Sequence, residues 1–154
     1  MKSKLTLLFA TALMATSVNA QKLAADNVPA PVLAAFKAKF SIAEKTSWEL
    51  DYDNYEADFT VGKSDFSAIF DKDGKWLGTE TYLKLSETPK VIREALSKKY
   101  GELSAYKVQE VMKVEKEKAT VYEMEVVKGE STFELVYDEA GELLEDDEKS
   151  IRKD

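Results

Sequence analysis

Hydrophobic and polar residues alternate along two long stretches of this chain, and the alternation indicates β-strands that are buried on one side. In the first stretch the alternating hydrophobic positions are Trp48, Leu50, Tyr52, Tyr55, Ala57, Phe59, Val61, Phe66, Ala68 and Phe70. Acidic and hydroxyl side chains occupy most of the positions between them. The pattern predicts an antiparallel sheet with one aromatic, buried face and one polar face in water.

Three tight turns connect these segments in a register that keeps the aromatic residues together. The predicted turns, with the pairs that they join, are Asp53–Asn54 with Tyr52 opposite Tyr55, Gly62–Lys63 with Val61 opposite Ser64, and the bulged turn Asp71–Gly74 with Phe70 opposite Trp76. Asparagine and glycine suit the left-handed positions of such turns. All three turns give the same inner face, so a fourth strand is expected to begin at Trp76.

An amphipathic helix precedes each stretch of alternation. The first is predicted to begin at Pro29, and the second at Pro89 with Thr88 as its cap and Gly101 at its end. The hydrophobic positions at helical spacing are Val32, Ala35, Phe36 and Phe40 in the first helix and Ile92, Ala95, Leu96 and Tyr100 in the second. Each helix therefore has one face that can cover a sheet.

The second half of the chain repeats the first. Tyr55–Leu77 and Tyr122–Leu144 are identical at eight of 23 aligned positions without a gap. The inward positions predicted for the second sheet are Tyr106, Val108, Met112, Tyr122, Met124, Val126, Phe133, Leu135, Tyr137 and Leu143. A longer hairpin is expected around Val114–Ala119, and the charged residues 145–154 are expected to fray.

These elements predict an α+β fold of two tandem repeats, residues 21–85 and 86–154. Each repeat consists of one helix packed on a four-stranded antiparallel meander. A unit of this size buries little hydrophobic surface by itself. We therefore expect the two repeats to pack together or to join their sheets edge to edge.

Residues 1–20 have the features of an export signal. Lys2 and Lys4 precede the hydrophobic run Leu5–Met14, which is too short to span a bilayer comfortably. Val18-Asn19-Ala20 offers the small residues that a signal peptidase recognises, so cleavage is predicted after Ala20. The mature protein is expected to be periplasmic or secreted, with no membrane attachment after cleavage.

Composition narrows the possible functions. The chain has 22 basic and 29 acidic residues, a net charge of −7, and the predicted cleavage removes two lysines. This charge disfavours nucleic acid as a partner and weakly favours a basic one. Neither cysteine nor histidine is present, so imidazole-dependent catalysis and disulfides are excluded. We expect a protein that is not an enzyme and uses no cofactor.

The polar face of the first sheet is the first candidate site. Its outward positions include the carboxylates Glu49, Asp51, Glu56, Asp58 and Asp65. One interpretation is an acidic docking surface for a basic protein or peptide. The other interpretation is an ordinary solvated face.

The outward face of the second sheet is less acidic and more hydrophobic. Val121, Val127 and Val136 are expected to be exposed near one another, which is unusual for a plain solvent face. This patch is predicted to lie where the two copies meet or where a partner binds.

Two acidic segments and one aromatic set invite other interpretations. Asp71–Gly74 resembles part of a calcium loop but lacks the further ligands, so a turn is favoured. Glu145–Glu148 could hold a divalent cation loosely, but a solvated terminus is favoured, and no metal site is assigned. The aromatic residues of the inner face could form a ligand cradle, but packing against the first helix explains them.

Short motifs give the chain a resemblance to a known family. They are Val28-Pro29 before the first helix, Lys39-Phe40 at its end, Trp48-Glu49, Tyr55-Glu56-Ala57-Asp58-Phe59 and Phe70–Leu77. With them the chain resembles the β-lactamase-inhibitor-like, PepSY-like proteins exported by Bacteroidetes. The second copy matches more loosely, since Leu143 replaces the tryptophan after the turn.

The resemblance implies an architecture similar to β-lactamase inhibitory protein, whose two repeats form a concave sheet that grips an enzyme. PepSY domains are proposed, by analogy, to restrain secreted peptidases. The inhibitor's gripping residues have no one-to-one counterparts here, so none is transferred.

The favoured hypothesis is an exported, non-enzymatic binding module that holds a protein or peptide on the open face of its sheets, as an inhibitor or a sensor. The alternative is a periplasmic protein that binds a small molecule or a cation at the junction of the repeats.

Overall fold

The computed structural model describes residues 21–150, which form nine strands and two α-helices. The strands are β1 (Gln21–Leu23), β2 (Glu44–Asp51), β3 (Asn54–Val61), β4 (Ser64–Phe70), β5 (Trp76–Tyr82), β6 (Lys107–Lys116), β7 (Ala119–Lys128), β8 (Ser131–Asp138) and β9 (Leu143–Ser150). The helices are α1 (Ala30–Lys39) and α2 (Lys90–Tyr100), and short 3₁₀ turns cover Ala25–Asn27, Leu85–Glu87 and Leu103–Ala105. The predicted export signal and residues 151–154 lie outside this range.

All nine strands belong to one antiparallel sheet in the order of the sequence. The α+β class is as predicted, but the strands form a single sheet, because β5 pairs with β6 from Thr79↔Glu115 to Tyr82↔Met112. The ninth strand is β1, which pairs with β2. This strand was not predicted, because it has no hydrophobic alternation: Leu23 packs against the first core, whereas Gln21 and Lys22 are exposed. In the part of the chain that the structure describes, no helix is long and hydrophobic enough to cross a membrane.

Helix α1 packs on the first half of the sheet. Phe36 is its central contact, with edge-on ring contacts to Trp48 at 5.2 Å and Phe59 at 5.1 Å. The buried residues of this cluster are Val28, Val32, Phe36, Trp48, Ala57, Phe59, Ala68 and Phe70. Apart from Tyr52, the aromatic residues predicted for the inner face therefore form the core beneath α1 or pack against it.

Helix α2 packs in the same way on the second half. The buried cluster there is Ile92, Leu96, Tyr100, Tyr106, Val111, Tyr122, Met124, Val126, Leu135 and Tyr137. The strand registers connect the two clusters through Ala68↔Thr79, Thr81↔Lys113 and Lys113↔Tyr122. Because paired residues share a face, α1 and α2 lie on the same side of the sheet.

A polar seam separates the two cores on the helix side. The Trp76 indole N–H donates to the Thr79 hydroxyl at 2.9 Å, and Lys113 forms an ion pair with Glu115 at 3.0 Å. Thr79 and Thr81 are buried in this seam. The backbone of the sheet is thus continuous, whereas its hydrophobic core is in two parts.

Both bulged turns form as predicted, and each contacts the first turn of a helix. In each turn the first aspartate carboxylate accepts backbone N–H bonds, for example from Asp73 and Lys75 to Asp71. The closing glycines Gly74 and Gly141 have φ of 83° and 79°. A Cβ on Gly74 would lie 2.5 Å from the Pro31 carbonyl oxygen, and one on Gly141 would lie 2.9 Å from Val91 Cγ2.

Two hairpins differ from the predicted ones. The first loop is Tyr52–Asp53, so Leu50 rather than Tyr52 pairs with Tyr55. Tyr52 has a φ of 53° and is 76% exposed. The shift of two residues leaves the remaining side chains of β2 and β3 on their predicted faces. The loop predicted at Val114–Ala119 is instead a tight one, because pairing continues to Lys116↔Ala119.

The sequence also missed a bulge in β6 and the length of β9. An irregularity between Val108 and Glu110 reverses the alternation, so Val111 joins the core and Met112 points to the opposite face. Residues Leu143–Ser150 form a strand along β8 rather than a frayed end. Their charges are compatible with a strand because β9 is an edge of the sheet.

Gly74→Ala should destabilise the protein by roughly 3 kcal/mol, since a positive φ and a backbone clash act together. Gly62→Ala is the matched control, because Gly62 has a φ of 63° but open space around its Cβ position. That control should cost only about 1 kcal/mol. Urea unfolding of both variants measures the difference, and equal losses would contradict a role of Gly74 in seating α1.

Candidate functional site

The sheet face opposite the two helices is the candidate site, and we call it the open face. One row of paired residues crosses it from β2 to β7: Ser47, Asp58, Ser67, Glu80, Val114 and Val121. The adjacent row crosses from β5 to β9: Tyr82, Met112, Glu123, Val136 and Glu145. The open face is therefore one surface that spans both halves of the molecule.

The first half of the open face gathers the carboxylates that the sequence predicted there. Glu49 lies opposite Glu56, and Asp65 lies opposite Thr60. Asp51 extends the same face to the end of β2, where it pairs with Asn54. Glu49, Asp51 and Glu56 are half-buried, whereas Asp58 and Asp65 are exposed.

Burial, and after it the neighbouring negative charges, raises the pKa of Glu56 and Asp58. The pKa of Glu56 is raised, first by burial and then by Asp58, Asp51 and Glu49, although the Ser67 hydroxyl donates a hydrogen bond that opposes the rise. The pKa of Asp58 is raised by burial and by Glu49. A cation arriving on this surface would relieve the repulsion.

A groove of about 310 Å³ lies at one end of these strands. Asp58, Asp65 and Ser67 contribute to its lining, and Tyr82 closes it from β5. Tyr82 is 61% exposed. An exposed aromatic ring beside carboxylates suits contact with a polypeptide.

Glu80 and Tyr82 belong to this surface but were not singled out from the sequence. The segment Thr79–Tyr82 has no hydrophobic alternation, because Thr79 and Thr81 occupy the helix side. Burial and the neighbouring Glu56 and Asp58 raise the pKa of Glu80. Alternation counted from the predicted pair Phe70 and Trp76 would place Glu80 and Tyr82 on the helix side. They face outward because the pairing shifts by one residue after that pair, from Phe70↔Trp76 to Ile69↔Gly78.

The three valines predicted to form an exposed patch on the second half are buried or half-buried. Val121 and Val136 are only 2% and 3% exposed, and Val127 is half-buried. They were predicted to be exposed, and this was wrong for Val121 and Val136. Both lie on interior strands of the sheet, where Met112 and Val114 complete a buried hydrophobic cluster. No part of α1 or α2 belongs to that cluster.

Glu123 lies within this hydrophobic cluster, between Met112 on β6 and Val136 on β8. It is 7% exposed. Burial raises its pKa to about 7, and the carboxylates of Glu80, Glu145 and Glu134 contribute, while Lys116 opposes the rise. Glu123 is thus a carboxyl group that titrates near neutrality on the open face.

Glu134 is the other buried acid of this half. Its carboxylate forms an ion pair with the ammonium group of Lys149 on the neighbouring strand β9. Alternation along β7 and β8 puts both Glu123 and Glu134 on the outward face and does not distinguish them. Their different pairing depends on β9, which the sequence did not predict.

The two acidic segments considered as cation sites are a turn and part of a strand. Asp71 uses its carboxylate to close a turn, as favoured from the sequence. Glu145–Glu148 lies within β9. Within residues 21–150 there is no group of three or more acidic, histidine or cysteine side chains placed to hold a metal ion.

Comparison with known proteins gives a family match and several similar folds. Residues 53–145 match the family model described as "Putative beta-lactamase-inhibitor-like, PepSY-like". No curated protein matches the chain.

Three crystal structures illustrate the structural similarity. A BLIP-like protein from Bacteroides fragilis is 25% identical with a TM-score of 0.70, covering 82% of this chain and 90% of that one. A DUF2874 family protein from Bacteroides uniformis is 26% identical with a TM-score of 0.70, covering 78% and 88%. A structure from Bacteroides eggerthii, described as one of "putative periplasmic proteins", is 25% identical with a TM-score of 0.69, covering 79% and 88%.

The raised pKa of Glu123 predicts a dependence of stability on pH. A carboxyl whose folded pKa is about 7, against an ordinary 4.5, binds protons more tightly in the folded state. Its contribution to stability is therefore fully present below about pH 4.5 and is lost as the pH rises through about 7. Glu123→Gln should remove this loss. The free energy of unfolding of the variant, relative to that of the wild type, should therefore increase by roughly 1–3 kcal/mol between pH 4.5 and pH 8.

Urea unfolding at a series of pH values measures this effect. Glu139→Gln, which removes one exposed negative charge from a turn, controls for net charge. A stability difference between Glu123→Gln and wild type that is the same at pH 4.5 and pH 8 would contradict the prediction.

Proposed function

Because this chain belongs to the β-lactamase-inhibitor-like, PepSY-like family, we propose that it is an exported, non-enzymatic binding module that holds a protein or peptide on its open face. The observation that supports this most directly is the open face itself. It spans β2 to β9 without helix cover, combines carboxylates with hydrophobic side chains, and presents an exposed aromatic residue, Tyr82. An exposed aromatic side chain beside charge is typical of a recognition surface.

Charge indicates the kind of partner. The carboxylates predicted as partner-binding, Glu49, Asp51, Glu56, Asp58 and Asp65, lie together on this face, and Glu80 adds to them. A basic protein or peptide is the complementary partner. In this proposal Val121, Val127 and Val136 act mainly as a hydrophobic floor, because Val121 and Val136 are buried.

The proposed location is the periplasm or the exterior, reached by cleavage of residues 1–20. The basic start, the hydrophobic run and Val18-Asn19-Ala20 support an export signal. The similarity to a structure described as periplasmic agrees with it.

The proposed evolutionary unit is one helix and four strands, duplicated as residues 21–85 and 86–154. The equivalent bulged turns, each with a glycine against the first turn of a helix, support this. The duplication doubles the width of the open face, since the edge strands β5 and β6 pair directly.

The proposed mode of action is inhibition or sensing rather than catalysis. The sequence contains no histidine or cysteine, and the similarity to a BLIP-like protein agrees with a role in binding. The alternative, a cation or small-molecule site at the junction of the repeats, has less support. The helix side of that junction is filled by Thr79, Thr81 and the Lys113–Glu115 ion pair.

Charge reversal on the open face should abolish partner capture. Asp58→Lys with Asp65→Lys changes two exposed carboxylates and should reduce crosslinked capture from periplasmic extract at least about tenfold, because it repels a basic partner. Asp26→Lys with Glu94→Lys is the matched control, since both residues are also exposed but neither lies on the open face. Quantitative mass spectrometry of the captured proteins measures both, and equal capture by the two variants would contradict the proposal.

A photocrosslinking residue gives an independent test of location. Benzoylphenylalanine in place of Tyr82 should crosslink to the partner, because Tyr82 is exposed on the open face at the end of β5, the fifth of the nine strands. The same residue in place of Ile42, which is 69% exposed in the turn after α1, should not. Crosslinking at Ile42 but not at Tyr82 would place the partner elsewhere.

A further inference from the structure

The groove that crosses the open face from β2 to β5 begins at a bulge in β2. The pairing of β2 with β3 shifts by one residue between Glu44 and Ser47. Lys45, inside this bulge, has a φ of 52°, which a residue other than glycine rarely adopts. A bulge bends its strand, so β2 bends at the point where it lines the groove of about 310 Å³.

Two aspartates give this groove an acidic wall. Asp58 on β3 and Asp65 on β4 both line it, and both are exposed. Asp58 pairs with Ser67, and Asp65 pairs with Thr60, so the aspartates are diagonal neighbours on the open face. Diagonal neighbours on a sheet lie roughly 7 Å apart. One guanidinium group can contact two carboxylates at this spacing.

Tyr82 borders the groove on the side of β5. It follows Thr81, which pairs with Phe66, and its position on the sheet is therefore next to Asp65. The side chain of Tyr82 is 61% exposed. Its ring is thus accessible from solvent beside a carboxylate, and the face of such a ring attracts cations.

The electrostatic surroundings of Tyr82 are negative. Burial raises the pKa of Tyr82 most, and four carboxylates raise it further: Glu110, Glu80, Glu56 and Asp58. Lys45 is the basic residue of the groove lining, but it lies on β2, three strand spacings or roughly 14 Å from Tyr82. A cation at the Tyr82 end of the groove is therefore attracted by carboxylates of several strands.

We propose that the groove binds one arginine side chain of the partner polypeptide, with the guanidinium plane stacked on the Tyr82 ring and its N–H groups donating to Asp58 and Asp65. A guanidinium group combines a flat face that stacks on aromatic rings with a fork of donors that fits carboxylates. This inference rests on the proposed function and adds to it the side chain that the partner inserts and the place where it is inserted.

Other occupants match these groups less well. An acidic side chain would be repelled by the two aspartates, and a hydrophobic one would remove their carboxylates from water without a bonded partner. A lysine ammonium satisfies the charge but has neither a plane to stack nor a fork of donors. A metal ion lacks ligands, because residues 21–150 contain no group of three or more acidic, histidine or cysteine side chains placed to hold one.

A tripeptide probe tests the arginine site directly. Acetyl-alanyl-arginyl-alanine amide is titrated into the protein and followed by NMR of the Tyr82 ring protons and of the side-chain carboxyl carbons of Asp58 and Asp65. We expect saturable shifts at all three residues. The side-chain protons of the bound arginine should move upfield, because they lie in the ring current of Tyr82.

Two further peptides separate the guanidinium from other side chains. The citrulline tripeptide, which is nearly isosteric but uncharged, should bind at least about tenfold more weakly than the arginine tripeptide. The lysine tripeptide has the charge without the plane and should bind about threefold more weakly or less tightly still.

Variants separate the stacked ring from general electrostatics. Tyr82→Leu keeps the charge of the groove and should lower the affinity for the arginine peptide about threefold or more, with loss of the upfield shift. Asp65→Asn should lower the affinity about tenfold. The matched controls are Tyr52→Leu, in another hairpin, and Asp73→Asn, in a turn, since both residues are also exposed. Both controls should bind like the wild type, and an unchanged amide NMR spectrum away from the substitution establishes that each variant is folded.

Three results would overturn the inference: equal affinity for the arginine and citrulline peptides, equal affinity for the arginine and lysine peptides, or an affinity of Tyr82→Leu equal to that of the wild type. Failure of the proposed function is distinguishable from these. If crosslinking at Tyr82 captures a partner while the arginine peptide does not bind, the open face holds its partner through other contacts. If the arginine peptide binds but charge reversal leaves partner capture unchanged, the groove holds arginine while the proposed function, and with it the assignment of this arginine to the partner, is wrong.

Discussion

The packing of both helices on one side of a continuous sheet is the constraint on which the rest of the structure depends. Val32 and Phe36 anchor α1, and Ile92 and Leu96 anchor α2, each in its own hydrophobic cluster. Burial of such side chains supplies most of the favourable free energy of a small domain that has no disulfide. Because both helices occupy the same side, the other side of the sheet remains uncovered.

Direct pairing of β5 with β6 turns two uncovered halves into one surface. It places Glu80 beside Val114 and Tyr82 beside Met112. The acidic half and the hydrophobic half thereby meet, and the carboxyl group of Glu123 comes under the influence of Glu80 from the other half. The chemistry of the open face therefore arises at a junction that neither half contains by itself.

Much of this arrangement could be predicted from local pattern. Period-two alternation assigned β3 and β4 to the correct faces, and the bulged turn at Asp71–Gly74 gave the correct pair Phe70 and Trp76. The shifted hairpin at Tyr52 changed no other face, because alternation has a period of two residues. Prediction failed at the bulge after Val108 and along β9, where the local sequence is charged or irregular and the neighbouring strand decides the structure.

The faces of β2, β3, β4, β7 and β8, the two helices, the acidic outward positions and the absence of imidazole and thiol chemistry follow from the sequence, because they depend on residue type and on spacing along the chain. The tertiary structure alone decided which outward residues are buried. Val121, Val136 and Glu123 alternate like exposed residues, yet they lie on interior strands whose neighbours cover them. Burial depends on what lies on both sides of a strand, and no pattern along one strand contains that information.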